Sequence, residues 1–399
     1  MHGGSSATIE KAHVLHKASP FVAYRLLGSL RFSLAMMVVL SHTFILTFGD
    51  GPLNFIAQIG LGNVAVNGFF VLSGFIIAEA AHLFYSGRPG AFLINRALRL
   101  VPPFWAATIV SVLIHAWLSR LGDLKLPDYA DLPANMFAFD NLLAQITAII
   151  PIFNFNRILD GTREAYYFVR FAWAVFVEFV FYFVYAAAMF CWVWVRGFVS
   201  LKTFALAWGG GFLMLHLINE YVQPIYWALH YTPYFVLGCA LYFVQASRDR
   251  AAKILALIAY VLVGCHFFRY VQGQTNMSIG AIYGIARPRV LVASLIMLSV
   301  PVLLMVLASL QVSQRAARVD KWLGDLTYPL YLNHYIVLVA FWSLVQQRSW
   351  SIQVAAITLA LLLSYAMKLA VDVPVASLRD LVRGRRLLDA KTSVSDVKN

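Results

Sequence analysis

The sequence predicts an all-α polytopic membrane protein with about ten transmembrane helices and both termini in the cytoplasm. Of its 399 residues, 61% are hydrophobic and only 12% are charged, a balance that no water-soluble domain of this length has. The apolar residues form runs long enough to cross a bilayer as helices. The predicted spans lie approximately at 27–48, 59–82, 101–119, 169–194, 203–219, 226–245, 254–270, 290–311, 324–344 and 351–371.

The distribution of lysine and arginine supports this topology. With a cytoplasmic N-terminus, 22 of the 31 basic residues fall on the cytoplasmic side, in agreement with the positive-inside rule. The asymmetry accounts for most of the net charge of +13, so membrane lipids are expected as partners and nucleic acid is not. The three cysteines lie in apolar runs without disulfide or metal-ligand spacing, and no metal is expected.

The chain divides into three predicted parts. Residues 1–25 form a cytoplasmic N-terminal segment, 26–376 the membrane domain and 377–399 a basic cytoplasmic tail. The outward connection 120–168 is much longer than the others and contains an apolar piece at about 142–155. That piece is too short to span the bilayer and is expected to be re-entrant or interfacial. Loops of this length are more often functional than idle.

The first span carries a cation and a histidine on one helix face. Eleven helical steps of about 100° return to within about 20° of the starting direction and rise about 16 Å. Arg31 is therefore expected near one membrane surface, with His42 about half a bilayer deeper. Ionisable residues inside a span are costly and usually functional. Arg31 could instead be an orienting flank and His42 a packed histidine, and this segment alone leaves both alternatives open.

Polar motifs recur in the next two spans. Ser73 stands in F-F-V-L-S-G-F, and packing or backbone bonding is the more frequent role of such a serine. Arg96 and Arg99 precede a Pro-Pro pair and are three residues apart, so they share a helix face. Two guanidinium groups at a membrane surface suit phosphate oxygens, although an ordinary basic flank has the same composition.

The later spans contain a carboxylate and a second histidine. Glu178 lies about ten residues into the fourth span, with Tyr182 one turn further. A buried carboxylate must be paired or protonated, and the expected partners are His42 or an arginine such as Arg170. His334 lies in the ninth span after a proline-containing start. Each of these groups is a candidate for a functional site.

Taken in order, these motifs resemble the acyltransferase type 3 family of integral membrane O-acyltransferases. The motifs are R-x10-H, F-F-V-L-S-G-F, R-x-x-R-x-x-P, W-x4-E-x2-F-Y and Y-x-L-Y-L-x-H, and the resemblance covers most of the chain, from about Leu26 to Pro374. Asp372 stands where family members often have a glutamate before a proline. No fused hydrolase-like domain is expected. The chain is therefore similar to the stand-alone members, such as bacterial exopolysaccharide and O-antigen acetylases.

The resemblance implies a bacterial inner-membrane enzyme that transfers an acyl group, acetyl by family default, from acyl-CoA to a hydroxyl of a cell-surface or exported glycan or a lipid-linked sugar. It implies that Arg31, Arg96 and Arg99 contact the donor phosphates from the cytoplasmic side. His42 is the implied general base, which suits a side chain that titrates near neutrality. Glu178 is expected to orient or charge-balance that histidine.

Two other functions stay open. A transporter or flippase of a lipid-linked sugar or small molecule also explains ten spans with intramembrane charges, but not the arginine pair together with R-x10-H. A structural subunit of a polysaccharide export system predicts that Arg31 and His42 variants leave the phenotype intact. The acceptor, the acyl group and the oligomeric state are left open.

Overall fold

The computed structural model describes residues 25–49, 59–127, 129, 131–151, 166–276, 286–345 and 347–384, and the regular structure of these residues is helical. Numbered in chain order, their α-helices are α1 Leu27–Thr43, α2 Ile45–Phe48, α3 Leu61–Leu83, α4 Pro89–Leu121, α5 Phe139–Thr147, α6 Ala172–Val195, α7 Leu201–Tyr221, α8 Thr232–Ser247, α9 Arg250–Asn276, α10 Ala286–Ser309, α11 Gln314–Leu344, α12 Trp350–Met367 and α13 Val373–Arg383. A 3-10 helix at Trp227–Tyr231 precedes α8, and a π-helical turn at Lys368–Asp372 joins α12 to α13.

The prediction of an all-α polytopic membrane protein is confirmed. Within the described residues, eight helices are long and apolar enough to cross a membrane. The predicted spans 226–245 and 324–344 are also helical, as α8 and α11. α8 has only 16 residues, and nearly all of its first twelve are buried. α11 begins with exposed charged side chains, including Arg315 and Lys321, before its apolar part.

Polar contacts define the two ends of the helix bundle. At one end Arg25 forms an ion pair with Glu79 of α3 (2.8 Å) and a hydrogen bond with Gln245 of α8. At the other end the Ser349 amide donates to Leu46 O (3.1 Å). We call these the Arg25 end and the Leu46 end. Consecutive crossing helices alternate in direction between them, and the charge count predicts that the Arg25 end is cytoplasmic.

Helices α3 and α8 approach each other through two glycines. A Cβ added at Gly74 would lie 2.1 Å from Phe235 O, and one at Gly238 would lie 1.9 Å from Val71 O. Small residues at helix contacts let backbones pack closely in membranes, where dispersion contacts and hydrogen bonds replace the hydrophobic driving force. The contact therefore brings α3, with Ser73, into the centre of the bundle.

The first turn of α1 is capped by α11. The Asp320 carboxylate, 1% exposed, accepts hydrogen bonds from Gly28 N (2.8 Å) and Ser29 N (2.6 Å). The first N–H groups of a helix have no partner within it, and its N-terminus favours negative charge. A Cβ at Gly28 would lie 1.9 Å from Asp320 O, so glycine permits this approach. The contact determines where α1 begins, and hence the depth of Arg31.

The long connection and the N-terminal segment are only partly described. Within the predicted loop 120–168, the described residues contain α5, a helix of nine residues, which is too short to cross a bilayer. The first part of the predicted apolar piece, 142–147, therefore belongs to a short helix that cannot span the membrane. Residues 152–165 of this loop lie outside the described residues, as does the N-terminal segment 1–25 except for Arg25.

The predicted tail 377–399 begins as a helix that packs on α4. α13 continues from the π-helical turn to Arg383. Asn95 Nδ2 donates to Arg379 O (2.8 Å), and Arg88 donates to Val382 O (2.9 Å). The Arg88 bond supplies a donor to Val382 O, a carbonyl in the last turn of the helix that lacks an intrahelical partner. The later part of the tail, 385–399, lies outside the described residues.

Candidate active site

Helix α1 presents Arg31 and His42 to the same neighbouring helix, α11. A Cβ added at Gly324 would lie 3.8 Å from Nη1 of Arg31. Further along both helices, Nδ1 of His42 lies 3.1 Å from Nε2 of His334. The eleven-residue spacing thus places both side chains towards one partner at different depths, as the sequence predicts.

The two histidines form a hydrogen-bonded chain with a defined direction. Nδ1 of His334 lies 2.7 Å from Tyr331 O, and a carbonyl oxygen only accepts, so this nitrogen carries the proton. A neutral His334 then accepts through Nε2, and Nδ1 of His42 donates to it at 3.1 Å. This assignment, made from the acceptors, leaves Nε2 of His42 with a lone pair that can take a proton.

Phe171 covers one side of the histidine pair. Its ring stacks on His42 with 4.0 Å between the ring centroids and an interplanar angle of 11°, and lies 5.3 Å from the ring of His334. The Tyr331 hydroxyl donates to Phe171 O (2.9 Å). Phe171 therefore holds both imidazoles in nearly parallel planes, while a backbone hydrogen bond anchors Phe171 itself.

The space beside Nε2 of His42 is bordered by a glycine. A Cβ added at Gly62 would lie 4.0 Å from this nitrogen and 3.1 Å from Ser41 Oγ. Gly62 lies in the first turn of α3, near the Leu46 end. Because glycine has no side chain, position 62 leaves room next to the unprotonated nitrogen.

A cavity of ≈ 70 Å³ lies towards the Arg25 end from the histidine pair. Its wall combines aromatic residues with polar side chains, including those of Arg31, Ser73, Arg99, Glu178, Tyr182 and Tyr331. Tyr331 belongs to both regions, since its side chain lines the cavity and its carbonyl holds His334. One residue of α11, Tyr331, therefore contacts both the arginine-lined cavity and the histidine pair.

Glu178 is hydrogen-bonded inside this cavity. Its Oε1 accepts from Ser73 Oγ (2.7 Å) and from the Tyr182 hydroxyl. Two hydroxyl donors thus partner a half-buried carboxylate, as partial burial favours. Arg170, one partner expected from the sequence, instead donates to the Tyr129 hydroxyl (2.9 Å).

The structure does not pair Glu178 with His42. The side chain that hydrogen-bonds His42 is His334, and the α6-adjacent residue that contacts it is Phe171. Phe171 precedes Glu178 by seven residues, which is about two helical turns or roughly 10 Å along the axis. Glu178 therefore lies at the level of the arginine-lined cavity rather than at the level of His42.

Arg96 and Arg99 have different environments although they share a helix. Arg99 lines the cavity. Arg96 is 5% exposed, and its guanidinium lies 5.4 Å from the ring centroids of both Phe92 and Tyr182. Arg96 thus reaches the cavity only through Tyr182, whose hydroxyl holds Glu178. The predicted shared face brings just one of the two guanidinium groups to the cavity.

Arg379 of α13 adds a positive charge that the sequence analysis assigned to the tail. It lies within Coulombic reach of Arg96, Arg99 and Arg383. Among the described residues, Nε of Arg379 and Nε of Arg96 are buried without a hydrogen-bond partner. An unsatisfied buried N–H is unfavourable, and guanidinium groups bind carboxylate or phosphate oxygens strongly. We call Arg96, Arg99, Arg379 and Arg383 the basic cluster.

Sequence reasoning identified His334 as a motif position but missed Gly62, Phe171 and Arg379. A glycine at the start of a helix and a phenylalanine before one carry no chemical signal of their own. The relation between Tyr331 and His334 was readable, because residues three apart share a helix face. The basic character of the tail was visible, but its return to α4 was not.

Three further side chains of metal-binding types meet near the Leu46 end. Glu220 of α7, His230 of the 3-10 helix and His266 of α9 each offer one ligand atom, and these atoms all lie within 4.8 Å of one another. The group is not apparent from the sequence, because its members lie on three separate elements of the chain.

These features define a multi-pass membrane protein with a polar site enclosed by its helices. The family model described as an acyltransferase domain, acyltransferase family 3, matches residues 27–369. The chain belongs to this family, and it is an acyltransferase that transfers groups other than amino-acyl groups. The resemblance predicted from the motifs is confirmed. A search of curated proteins and a search of solved structures each gave no match.

Proposed function

We propose that this enzyme transfers an acetyl group from acetyl-CoA to a hydroxyl of a cell-surface or exported glycan, or of its lipid-linked precursor, in a bacterial inner membrane. One observation carries the proposal: the hydrogen-bonded chain from Tyr331 O through His334 to His42. It leaves Nε2 of His42 as a base next to the space at Gly62. A positioned imidazole is the group most often used for proton transfer near neutral pH.

The donor binds at the Arg25 end in this proposal. Only the acyl-bearing arm of coenzyme A enters the cavity lined by Arg31, Arg99 and Tyr331 in this proposal. The phosphates stay outside, against the basic cluster, where Arg99 and Arg379 supply guanidinium groups. Arg31 lines the cavity beyond them and guides the arm towards His42. Bidentate geometry makes arginine well suited to phosphate.

The chemical step is a proton-coupled acyl transfer. Nε2 of His42 takes the proton of the acceptor hydroxyl while the hydroxyl oxygen attacks the thioester carbonyl carbon. The C–S bond breaks, and the coenzyme A sulfur leaves with the proton that His42 releases. During the step, Nδ1–H of His42 keeps its hydrogen bond to His334, which stabilises the transient imidazolium. His334 thus takes the orienting role that the sequence analysis gave to Glu178.

Glu178 and Arg96 act as positioning residues in this proposal. Glu178 holds Ser73 and Tyr182 together at the cavity wall. Arg96 packs against the ring of Tyr182 and so fixes that wall from behind. Their variants are expected to alter donor binding more than the proton transfer at His42.

The acceptor enters from the Leu46 end, where Gly62 leaves room beside the base. Described residues of the loop 120–168 lie at this end: Lys125 N donates to Ser343 Oγ (3.0 Å) near the end of α11. A cytoplasmic donor and an outward-facing acceptor then meet at His42 within the membrane. This arrangement is supported by the alternation of helices and by the charge asymmetry.

The proposal is tested with His42→Ala, using His82→Ala as the matched control. His82 is an exposed histidine on α3 whose ring contacts Tyr242. Wild type and both variants are expressed at equal membrane levels, and the acyl content of surface and exported glycans is measured by mass spectrometry. We expect one O-acetyl modification to disappear with His42→Ala and to persist with His82→Ala.

A second measurement separates the base from the acceptor. Purified protein is incubated with labelled acetyl-CoA, and loss of the label to glycan or water is followed. Unchanged glycans in the His42→Ala strain, together with unchanged turnover of the label, would remove His42 as the base. Unchanged glycans with turnover lost only in this variant would keep the base and assign a non-glycan acceptor.

A further inference from the structure

We infer that Glu220, His230 and His266 form a binding site for a divalent transition metal of the zinc class. The three side chains come from α7, the 3-10 helix and α9, and their ligand atoms lie within 4.8 Å of one another. Two imidazoles and one carboxylate are a ligand set that zinc and its first-row neighbours bind. The site lies apart from the histidine pair and does not depend on the proposed function.

The geometry approaches that of a coordination sphere. Around a tetrahedral metal with bonds of about 2.0–2.1 Å, ligand atoms are about 3.3 Å apart. Nδ1 of His230 and Oε1 of Glu220 are in direct contact, so a metal between them would move these two atoms apart. His266, whose ligand atom lies within 4.8 Å of both, would move towards them to complete the three-ligand arrangement.

A simple hydrogen bond between Glu220 and His230 is the main competing explanation. Such a pair needs no third ligand, whereas His266 converges on it from another helix. Nδ1 of His266 lies 3.0 Å from the Tyr234 hydroxyl, which orients the ring and would leave Nε2 for a metal. Ligating histidines commonly use their second nitrogen in this way.

The three ligands line a cavity of ≈ 360 Å³ that leaves room for further ligands. His216 lines the same cavity, and its Nδ1 donates to Leu229 O (3.0 Å). Because that nitrogen carries the proton, Nε2 of His216 keeps its lone pair. A metal held by three protein ligands would therefore keep open positions for water, for a substrate oxygen or for His216, as open zinc sites do.

One charge at the cavity opposes a cation. Arg269 lines the cavity, and its guanidinium lies 5.1 Å from the ring centroid of Tyr221. Its positive charge weakens metal binding but also favours an anion or hydroxide in the open positions. The site is therefore expected to bind metal less tightly than a four-ligand structural zinc site.

The test measures the zinc content of the full-length protein, purified in detergent without chelators and then equilibrated with zinc ions. We expect about one zinc per chain in wild type and in the control His82→Ala. Zinc content should fall at least about tenfold in Glu220→Gln, His230→Ala and His266→Ala. Equal zinc content in wild type and in all three variants would overturn the site, because the metal would then be bound elsewhere.

A spectroscopic measurement guards against variants that fail to fold. Cobalt ions added to wild type should give the visible d–d absorption of a low-symmetry site, and added zinc should abolish it. Wild type that shows neither this absorption nor stoichiometric zinc would overturn the proposal. Zinc should also raise the unfolding temperature of wild type but not of Glu220→Gln, since a ligand stabilises the state that binds it.

Discussion

The two halves of the candidate active site have opposite chemistry, although a single helix contributes to both. Towards the Arg25 end, Arg31 and Arg99 share a cavity with a hydrogen-bonded carboxylate. Towards the Leu46 end, His42 is bordered by another imidazole, an aromatic ring and a glycine. The first half is built to hold charge, and the second is built to hold one nitrogen in a defined protonation state.

The difference shows why the proposed reaction needs two environments. Donor phosphates require fixed cations near water, where charge is inexpensive to maintain. A base requires a lone pair and an orienting partner, away from the arginines that would stabilise its unprotonated form and lower its basicity. Separating the two functions by about 16 Å along α1 meets both requirements.

The largest effect is expected when the orienting imidazole of His334 is removed, which changes only one half of the candidate active site. His334→Ala should lower kcat between about 10²- and 10⁴-fold, because His42 loses the acceptor that fixes its tautomer. The KM for acyl-CoA should change little, since the arginines are untouched. Steady-state kinetics on the purified protein, with His82→Ala as control, provide the measurement. A wild-type kcat in His334→Ala would contradict the orienting role.

Removal of a cavity arginine should mainly change KM, whereas loss of His334 should mainly change kcat. Arg99→Ala is expected to raise the KM for acyl-CoA about 10- to 100-fold, because a charge-assisted hydrogen bond contributes about 1.5–3 kcal/mol. Its kcat should remain closer to that of wild type. Arg120→Ala is the matched control, because Arg120 is an exposed arginine in the last turn of the same helix, at the end away from the basic cluster. A fall in kcat with unchanged KM would show that Arg99 acts on the chemical step, and the two halves would then not have separate roles.

The glycine next to the base should control access of the acceptor. Gly62→Ala places a Cβ 3.1 Å from Ser41 Oγ and 4.0 Å from Nε2 of His42. Crowding of this kind costs about 1–3 kcal/mol, so we expect kcat/KM for the acceptor to fall about tenfold. Gly90→Ala, which meets nothing within 4 Å, is the control in the acceptor titration. Equal effects of the two variants would remove steric control at position 62.

The smallest expected effect tests the junction between the halves. Tyr331→Phe removes the hydrogen bond to Phe171 O (2.9 Å) but keeps the carbonyl that holds His334. Loss of one neutral hydrogen bond is worth about 0.5–1.5 kcal/mol, so kcat should fall about 2- to 10-fold. Kinetic constants for both substrates give the measurement. A loss as large as that of His334→Ala would show that the ring, rather than the backbone, positions the base.

Much of the fold was predictable from local patterns. Hydropathy located the helices, and the motif order predicted the family that the match to residues 27–369 confirms. The shared direction of Arg31 and His42 followed from the periodicity of the α-helix over about three turns. What could not be predicted are contacts between distant segments. Glu178 was expected near His42, but α6 places it closer to the Arg25 end, next to Ser73.

The sequence by itself determined which residues are helical, which are apolar and which face of α1 carries the two charged or titratable groups, because these depend on the geometry of one segment. Only the tertiary structure decided that His334 is the partner of His42, that Arg96 is buried while Arg99 lines the cavity, and that Arg379 joins the basic cluster. Those relations depend on which helix faces meet. The packing of the whole bundle sets that choice, through close contacts such as Gly74 against Phe235.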